Sequence, residues 1–182
     1  MIEISKIFIN LLISFEVNAK IIFFSSELNY NTVVAENLTL KVFNDSNGIS
    51  RLNVSGYGKN DYEKIIIDVE IYGKDKTQSD FVRFLKCSIN SCDLQKHKGN
   101  FLLKTVIEGF NKYSNYKLEC KQKKGFLYAT NFEFSDKNLP IYVLMREGVL
   151  WSIKIIVKGL IKNQKSLTFI GAAKIVGSYV KN

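Results

Sequence analysis

The stretch Thr39-Leu40-Lys41-Val42-Phe43-Asn44-Asp45-Ser46-Asn47-Gly48-Ile49-Ser50-Arg51-Leu52-Asn53-Val54-Ser55 decides the class of fold. Leu40 and Val42 alternate with Thr39 and Lys41, and Leu52 and Val54 alternate with Arg51, Asn53 and Ser55. A two-residue period of this kind belongs to strands with one buried face. Between them the polar cluster 44–48 ends in Asn-Gly, a pair suited to the positive-φ positions of a tight hairpin turn. A β-hairpin is therefore expected, and the rest of the chain repeats the pattern.

Ile65, Ile67, Val69 and Ile71 share one parity up to Gly73, which predicts a third strand. Apolar residues of both parities run from Phe81 to Ile89 and suggest a strand covered on two sides. Phe126, Tyr128, Thr130, Phe132 and Phe134 fall on one parity, so this strand is expected to offer one ring-rich face. After Pro140 come a strand at 141–145, an alternating strand around Trp151, Ile153, Ile155 and Val157, and a last strand or pair of strands over 167–180. One segment has a different period. Leu102, Leu103, Val106, Ile107, Phe110 and Tyr113 recur at steps of three and four, which predicts an amphipathic helix over 101–113 with Asn100 as its N-cap. Many short strands with a single helix point to an antiparallel β-sandwich or cup.

Composition bounds the function. With 182 residues and 46% hydrophobic content, the chain has length and apolar surface for one domain. The net charge of +9 is scattered through most segments, without the recognition helix, zinc finger or aromatic RNA-binding strand that nucleic-acid readers carry. Nucleic acid is accordingly not an expected partner. His97 is the only histidine and lies in a polar stretch, so a Ser-His or Cys-His nucleophile pair lacks its base. No phosphate-binding glycine loop is present, and three cysteines with one histidine lack zinc-site spacing. The chain reads as non-enzymatic, without cofactor or metal.

Residues 1–19 read as a cleaved signal peptide: Lys6, then an apolar run over 7–15 too short to span a bilayer, then Val17 and Ala19 as the small residues before a cut. Residues 20–182 would form the mature domain, extracellular and without stable membrane insertion. Three N-x-Ser/Thr sequons, at Asn37, Asn44 and Asn53, fit passage through the secretory pathway. Cys87, Cys92 and Cys120 all lie in that domain, and their odd number leaves one unpaired. Cys92–Cys120 would tie the segments flanking the helix and stabilise the fold by about 3–4 kcal/mol. Cys87–Cys92 is the competing pair.

The run Cys92-Asp93-Leu94, the helix segment from Phe101 to Phe110, then Tyr113-Ser114-Asn115-Tyr116 and Cys120 resembles a large secreted insect family of unknown function. That family lies in the lipid-recognition superfamily of the ganglioside activator, the Niemann-Pick type C cholesterol-transfer protein and mite group 2 allergens. The similarity extends through Gly125-Phe126-Leu127-Tyr128, Leu139-Pro140 and the Trp151 strand. Lys121 departs from it, because the family places Pro after its second cysteine. The resemblance implies an immunoglobulin-like sandwich whose sheets admit an apolar ligand, with roles in chemosensation among relatives. Phe110, Phe126, Tyr128, Phe132, Phe134, Tyr142, Trp151, Ile153 and Ile155 would line the space between the sheets, and a hydrophobic small molecule or lipid would be the ligand. The alternative is an interaction module with a filled core that docks on an extracellular receptor or other protein.

Overall fold

A computed structural model of the chain describes residues 19–93, 108–109, 111–117, 119–133 and 148–181. Eight strands dominate: β1 Ala19–Tyr30, β2 Ala35–Asn44, β3 Ser50–Gly58, β4 Tyr62–Lys74, β5 Val82–Asn90, β6 Gly125–Glu133, β7 Leu150–Ile161 and β8 Thr168–Lys181. They form a five-stranded sheet, β1-β8-β7-β4-β5, and a three-stranded sheet, β2-β3-β6, with every pairing antiparallel. This is a mostly-β sandwich, as the alternation requires. Of the helix expected over 101–113, residues 108, 109 and 111–113 are helical, and the others, Phe110 among them, lie outside the described residues.

The inner faces meet in one apolar cluster. Phe23, Ile71, Trp151, Ile153 and Ile175 of the large sheet pack with Leu52 and Phe132 of the small one. Each of the seven is at most 9% exposed, and full burial of a side chain of this size is worth about 1.5–3 kcal/mol. Alternation puts them there: Ile71 faces in because Glu70 and Tyr72 face out, and Leu52 because Arg51 and Asn53 do. Gly73 lets the Trp151 ring lie over β4, since a Cβ there would stand 3.2 Å from the indole.

A polar relay ties the sheets beyond apolar contact. The β1–β8 register slips between Phe23 and Ser25, a bulge that turns Phe24 outward to 60% exposure. At that bulge the Phe23 N–H donates to Ser50 Oγ (2.9 Å), and the fully buried Ser50 hydroxyl donates in turn to Asn44 Oδ1 (2.6 Å). A buried polar relay thus links β1 to the β2–β3 hairpin.

That hairpin forms where alternation places it, with Leu40 opposite Val54 and Val42 opposite Leu52. Its turn is organised by Asp45 rather than by Asn47: the Asp45 carboxylate accepts from the Asn47 and Ile49 N–H groups and pairs with Arg51 at 2.9 Å. Only Gly48 takes positive φ there, at 70°. The expected strand at 141–145 lies outside the described residues, and 168–181 is one strand rather than two. β1 has no alternation in Lys20-Ile21-Ile22-Phe23-Phe24-Ser25-Ser26 and was not expected as a strand.

The outer face of the large sheet is polar. Asp68 accepts from Ser88 Oγ (2.7 Å) and Lys158 Nζ (2.9 Å), while Glu70 accepts from the Tyr72 hydroxyl (2.6 Å) and pairs with Lys86 at 3.1 Å. These donors hold both carboxyls below their ordinary values of 3.8 and 4.5. A carboxylate depressed in the fold adds stability that is complete above its unfolded value and is lost as pH falls through the folded one. The urea midpoint should hold level from pH 7 to about pH 5 and drop below about pH 4.5, with a shallower drop in the Asp68→Asn, Glu70→Gln double variant. Packing gives a second expectation. A Cβ on Gly177 would stand 2.5 Å from the Ile22 carbonyl oxygen and 2.7 Å from the Phe23 ring, so Gly177→Ala should cost about 1–3 kcal/mol by denaturant titration.

Candidate functional site

The residues expected between the sheets divide into two sets. Phe132, Trp151 and Ile153 do lie there, and Ile155 packs against them. They are filled core, buried by one another. Phe126 and Tyr128 face the other way, 58% and 41% exposed on the outside of the small sheet, with ring centroids 6.1 Å apart. The single-parity expectation for Phe126, Tyr128 and Phe132 is therefore corrected. The cause is a bulge: the β3–β6 register slips between Leu52 and Val54, and Asn131 takes φ 56°. One extra residue switches parity, so Leu127, Ala129 and Phe132 face in while Phe126, Tyr128 and Thr130 face out. Phe110, Phe134 and Tyr142 lie outside the described residues.

An apolar face unforeseen as a site lies at the edge of the large sheet. β5 contributes nothing to the buried cluster, and Val82, Phe84 and Leu85 are 55%, 56% and 37% exposed. Leu85 sits opposite Ile71 and Val82 opposite Gly73, both inward positions, and a register shift between Ile71 and Tyr72 leaves Phe84 as the extra residue. The Phe84 ring meets Trp151 edge-on, with centroids 5.5 Å apart at 75°. The inner face of the large sheet thus continues from the core onto an open apolar edge. Trp151 adds a polar element, for its buried Nε1–H has no hydrogen-bond partner among the described residues. A buried indole N–H normally finds an acceptor, and leaving one unpaired costs about 1–3 kcal/mol. Phe81–Ile89 was expected to be covered on two sides. Its mixed parity instead reflects the bulge and the exposure.

Cys92 and Cys120 form a disulfide, which decides between the two pairs open to sequence, and Cys87 is free and exposed. Partial desolvation pushes the Cys87 thiol up from its ordinary value. Around the bridge the segment after the helix is zipped to the start of β4. Tyr62 and Gln122 exchange backbone hydrogen bonds of 2.7 and 2.9 Å, and the Lys124 N–H donates to Asp61 Oδ1 at 2.8 Å. The Ser91 N–H donates to the Ile65 carbonyl while its hydroxyl accepts from the Ile65 N–H, each at 2.9 Å.

The Tyr113-Ser114-Asn115 run acquires a physical role. Asn115 behaves as a short strand, donating from Nδ2 to the Phe126 carbonyl (2.9 Å) and accepting at Oδ1 from the Tyr128 N–H (2.7 Å), while its own N–H donates to the Tyr128 carbonyl (3.1 Å). It thereby satisfies the free edge of β6. Tyr113 packs edge-on against Phe132, centroids 5.8 Å apart, and so ties the helix end to the core.

Two open concavities lie away from the sheet interface. One of about 580 Å³ covers the outer face of the large sheet between Tyr72, Phe81, Lys154 and Lys174. The other, about 400 Å³, sits by the helix end between Tyr113, Asn115, Tyr128 and Asn131. Among the described residues no group of three or more His, Cys, Asp or Glu could hold a metal ion, and no helix is long and apolar enough to cross a membrane.

Residues 59–148, about half of the chain, match a family described as protein of unknown function (DUF1091). The matched segment carries β4, β5, β6 and both bridged cysteines. No curated protein matches the chain.

The bridge and the thiol predict a labelling pattern. Unfolded without reductant, the protein should take up one iodoacetamide per chain, at Cys87; after reduction it should take up three, read by intact and peptide mass spectrometry.

Proposed function

We propose that the chain is a secreted, non-enzymatic member of the lipid-recognition superfamily. It carries or presents an apolar molecule at the β5 edge of its sandwich rather than in a closed space between the sheets. The single observation that carries this is the uncovered apolar face of Val82, Phe84 and Leu85, continuous with the core through the Phe84–Trp151 contact. Exposed apolar patches of this kind mark binding sites. A ligand chain laid along them would gain about 0.8 kcal/mol per buried CH₂. The unpartnered Trp151 Nε1–H suits a ligand with a carbonyl, hydroxyl or carboxylate acceptor, such as a fatty acid or sterol. The family match supports the same direction, since its residues 59–148 contain the β5 face and the bridged cysteines that carry the superfamily resemblance.

A second use of the same face, docking on an extracellular receptor, is favoured by the core, where among the described residues Trp151, Ile153 and Phe132 are packed into one buried cluster.

Trp151 is the only tryptophan, so its emission reports on the Phe84 contact. Titrating fatty acids and sterols into the secreted protein should shift and saturate that emission. Phe84→Ser with Leu85→Ser should weaken binding at least ten-fold while leaving the Cys92–Cys120 bridge intact. A wild-type protein whose emission responds to none of these molecules, and which excludes fluorescent fatty-acid probes, would leave receptor docking as the function of β5.

A further inference from the structure

The three sequons lie in β2 and β3, both in the small sheet. Asn37 is exposed on β2; Asn44, at the end of that strand, shares the parity of Leu40 and Val42 and accepts from the buried Ser50 hydroxyl; Asn53 stands on the outer face of β3, between Leu52 and Val54 that face inward. The third residues of two sequons meet across the strands: Thr39 Oγ1 and Ser55 Oγ share a hydrogen bond of 2.8 Å. Asn53 has a fixed amide. Its Oδ1 accepts from the Asn131 N–H at 2.7 Å, and its Nδ2 has no partner among the described residues. The donor at Asn131 orients the oxygen toward β6 and leaves the nitrogen to be substituted.

Farther along the same outer face runs an aromatic strip with amide flanks. Ser55, two residues on from Asn53 and about 7 Å away along the strand, pairs with Tyr128, and Tyr57 pairs with Phe126. All three rings are at least 40% exposed. Beside Tyr128 the 400 Å³ concavity offers Asn115, Thr130 and Asn131. A pyranose has an apolar C–H face that stacks on rings and hydroxyls that seek amides, so this surface suits a sugar.

We infer that Asn53, on the outer face of the small sheet, is glycosylated, and that its N-glycan lies along β6 over Tyr128 and Phe126. This rests on the secretory part of the proposed function and on nothing about its ligand. In the attachment step the Asn53 amide nitrogen forms a bond to the anomeric carbon of an oligosaccharide held on a lipid pyrophosphate. The sugar–pyrophosphate bond breaks, and the amide proton leaves with the lipid pyrophosphate. Seated there, the glycan covers rings that would otherwise face water, while β5 and the whole large sheet stay bare of sequons.

The test uses the full chain with its own leader, produced in a eukaryotic secretory host. Glycopeptide mass spectrometry should find Asn53 occupied. Peptide N-glycosidase should release that glycan at least ten-fold more slowly from the folded protein than from Phe126→Ser, Tyr128→Ser protein, whose folding is checked by the bridge and by Trp151 emission. Asn53→Gln and, separately, Ser55→Ala should raise binding of a hydrophobic dye several-fold over wild type, an increase that the added ring substitutions abolish. Secreted protein with Asn53 bare overturns the inference and leaves the ligand proposal standing. An occupied Asn53 released equally fast with and without the rings overturns the seat. A chain retained inside the cell overturns the secretory reading itself, whereas lost ligand response with an intact seated glycan overturns only the β5 proposal.

Discussion

Five strands cannot be covered by three. With strands about 4.8 Å apart, the large sheet is about 19 Å wide and the three described strands of the small one about 10 Å. The apolar inner faces must nevertheless be buried, and the cluster of Phe23, Leu52, Ile71, Phe132, Trp151, Ile153 and Ile175 forms where the sheets overlap. β5 lies beyond that overlap. Its exposure follows from sheet width, and the proposed guest is placed with it: among the described residues the middle of the inner face holds the buried cluster, while the apolar side chains of β5 stay exposed.

Bulges decide which side chains reach which face. At Phe24 a slipped register sends one ring to solvent, and the neighbouring Phe23 N–H donates to the buried Ser50 hydroxyl. At Asn131 a left-handed residue turns the parity of β6, so that Phe132 enters the core while Tyr128 and Phe126 leave it. On β5 the slip beside Tyr72 brings Phe84 against Trp151. Each is a shift of one residue, and each reassigns a ring from packing to surface or back.

The legible part of the fold was what local periodicity encodes. The β2–β3 hairpin, β4, β7 and the β-sandwich class follow from alternation that holds over 39–44, 65–71 and 151–157, between the register shifts of those strands. What could not be read depends on partners distant in sequence. β1 is held by β8, about 150 residues on, and its Ile21-Ile22-Phe23-Phe24 run carries no period of two to betray it. For β6 the period was present in Phe126, Tyr128 and Phe132 but misleading, because a strand pattern counts residues while the sheet counts register. Asn131 was the available signal, since asparagine tolerates positive φ better than other non-glycine residues. The bridged pair was the preferred one of two. Tyr62 and Gln122 show what sets it, by fastening the segment bearing Cys120 beside the end of β5.

The bridge and Asn115 also explain how one protein can present two unlike surfaces. The chain leaves β5 at Ser91–Asp93 and enters β6 at Gly125, so the segment between them joins the edge of one sheet to the edge of the other. Cys120 pins its end to the large sheet, and Asn115 pins its middle to β6 by standing in for a strand. Held at both points, the two sheets are tied to one another by a covalent bond and a set of backbone hydrogen bonds. Tyr128 lies beside a sequon strand, and Phe84 lies beside an indole whose N–H has no acceptor among the described residues. Chemistry then separates the faces: hydroxyls and amides surround the first set of rings and aliphatic side chains the second, which is why the proposed glycan seat and the proposed apolar site fall on different sheets.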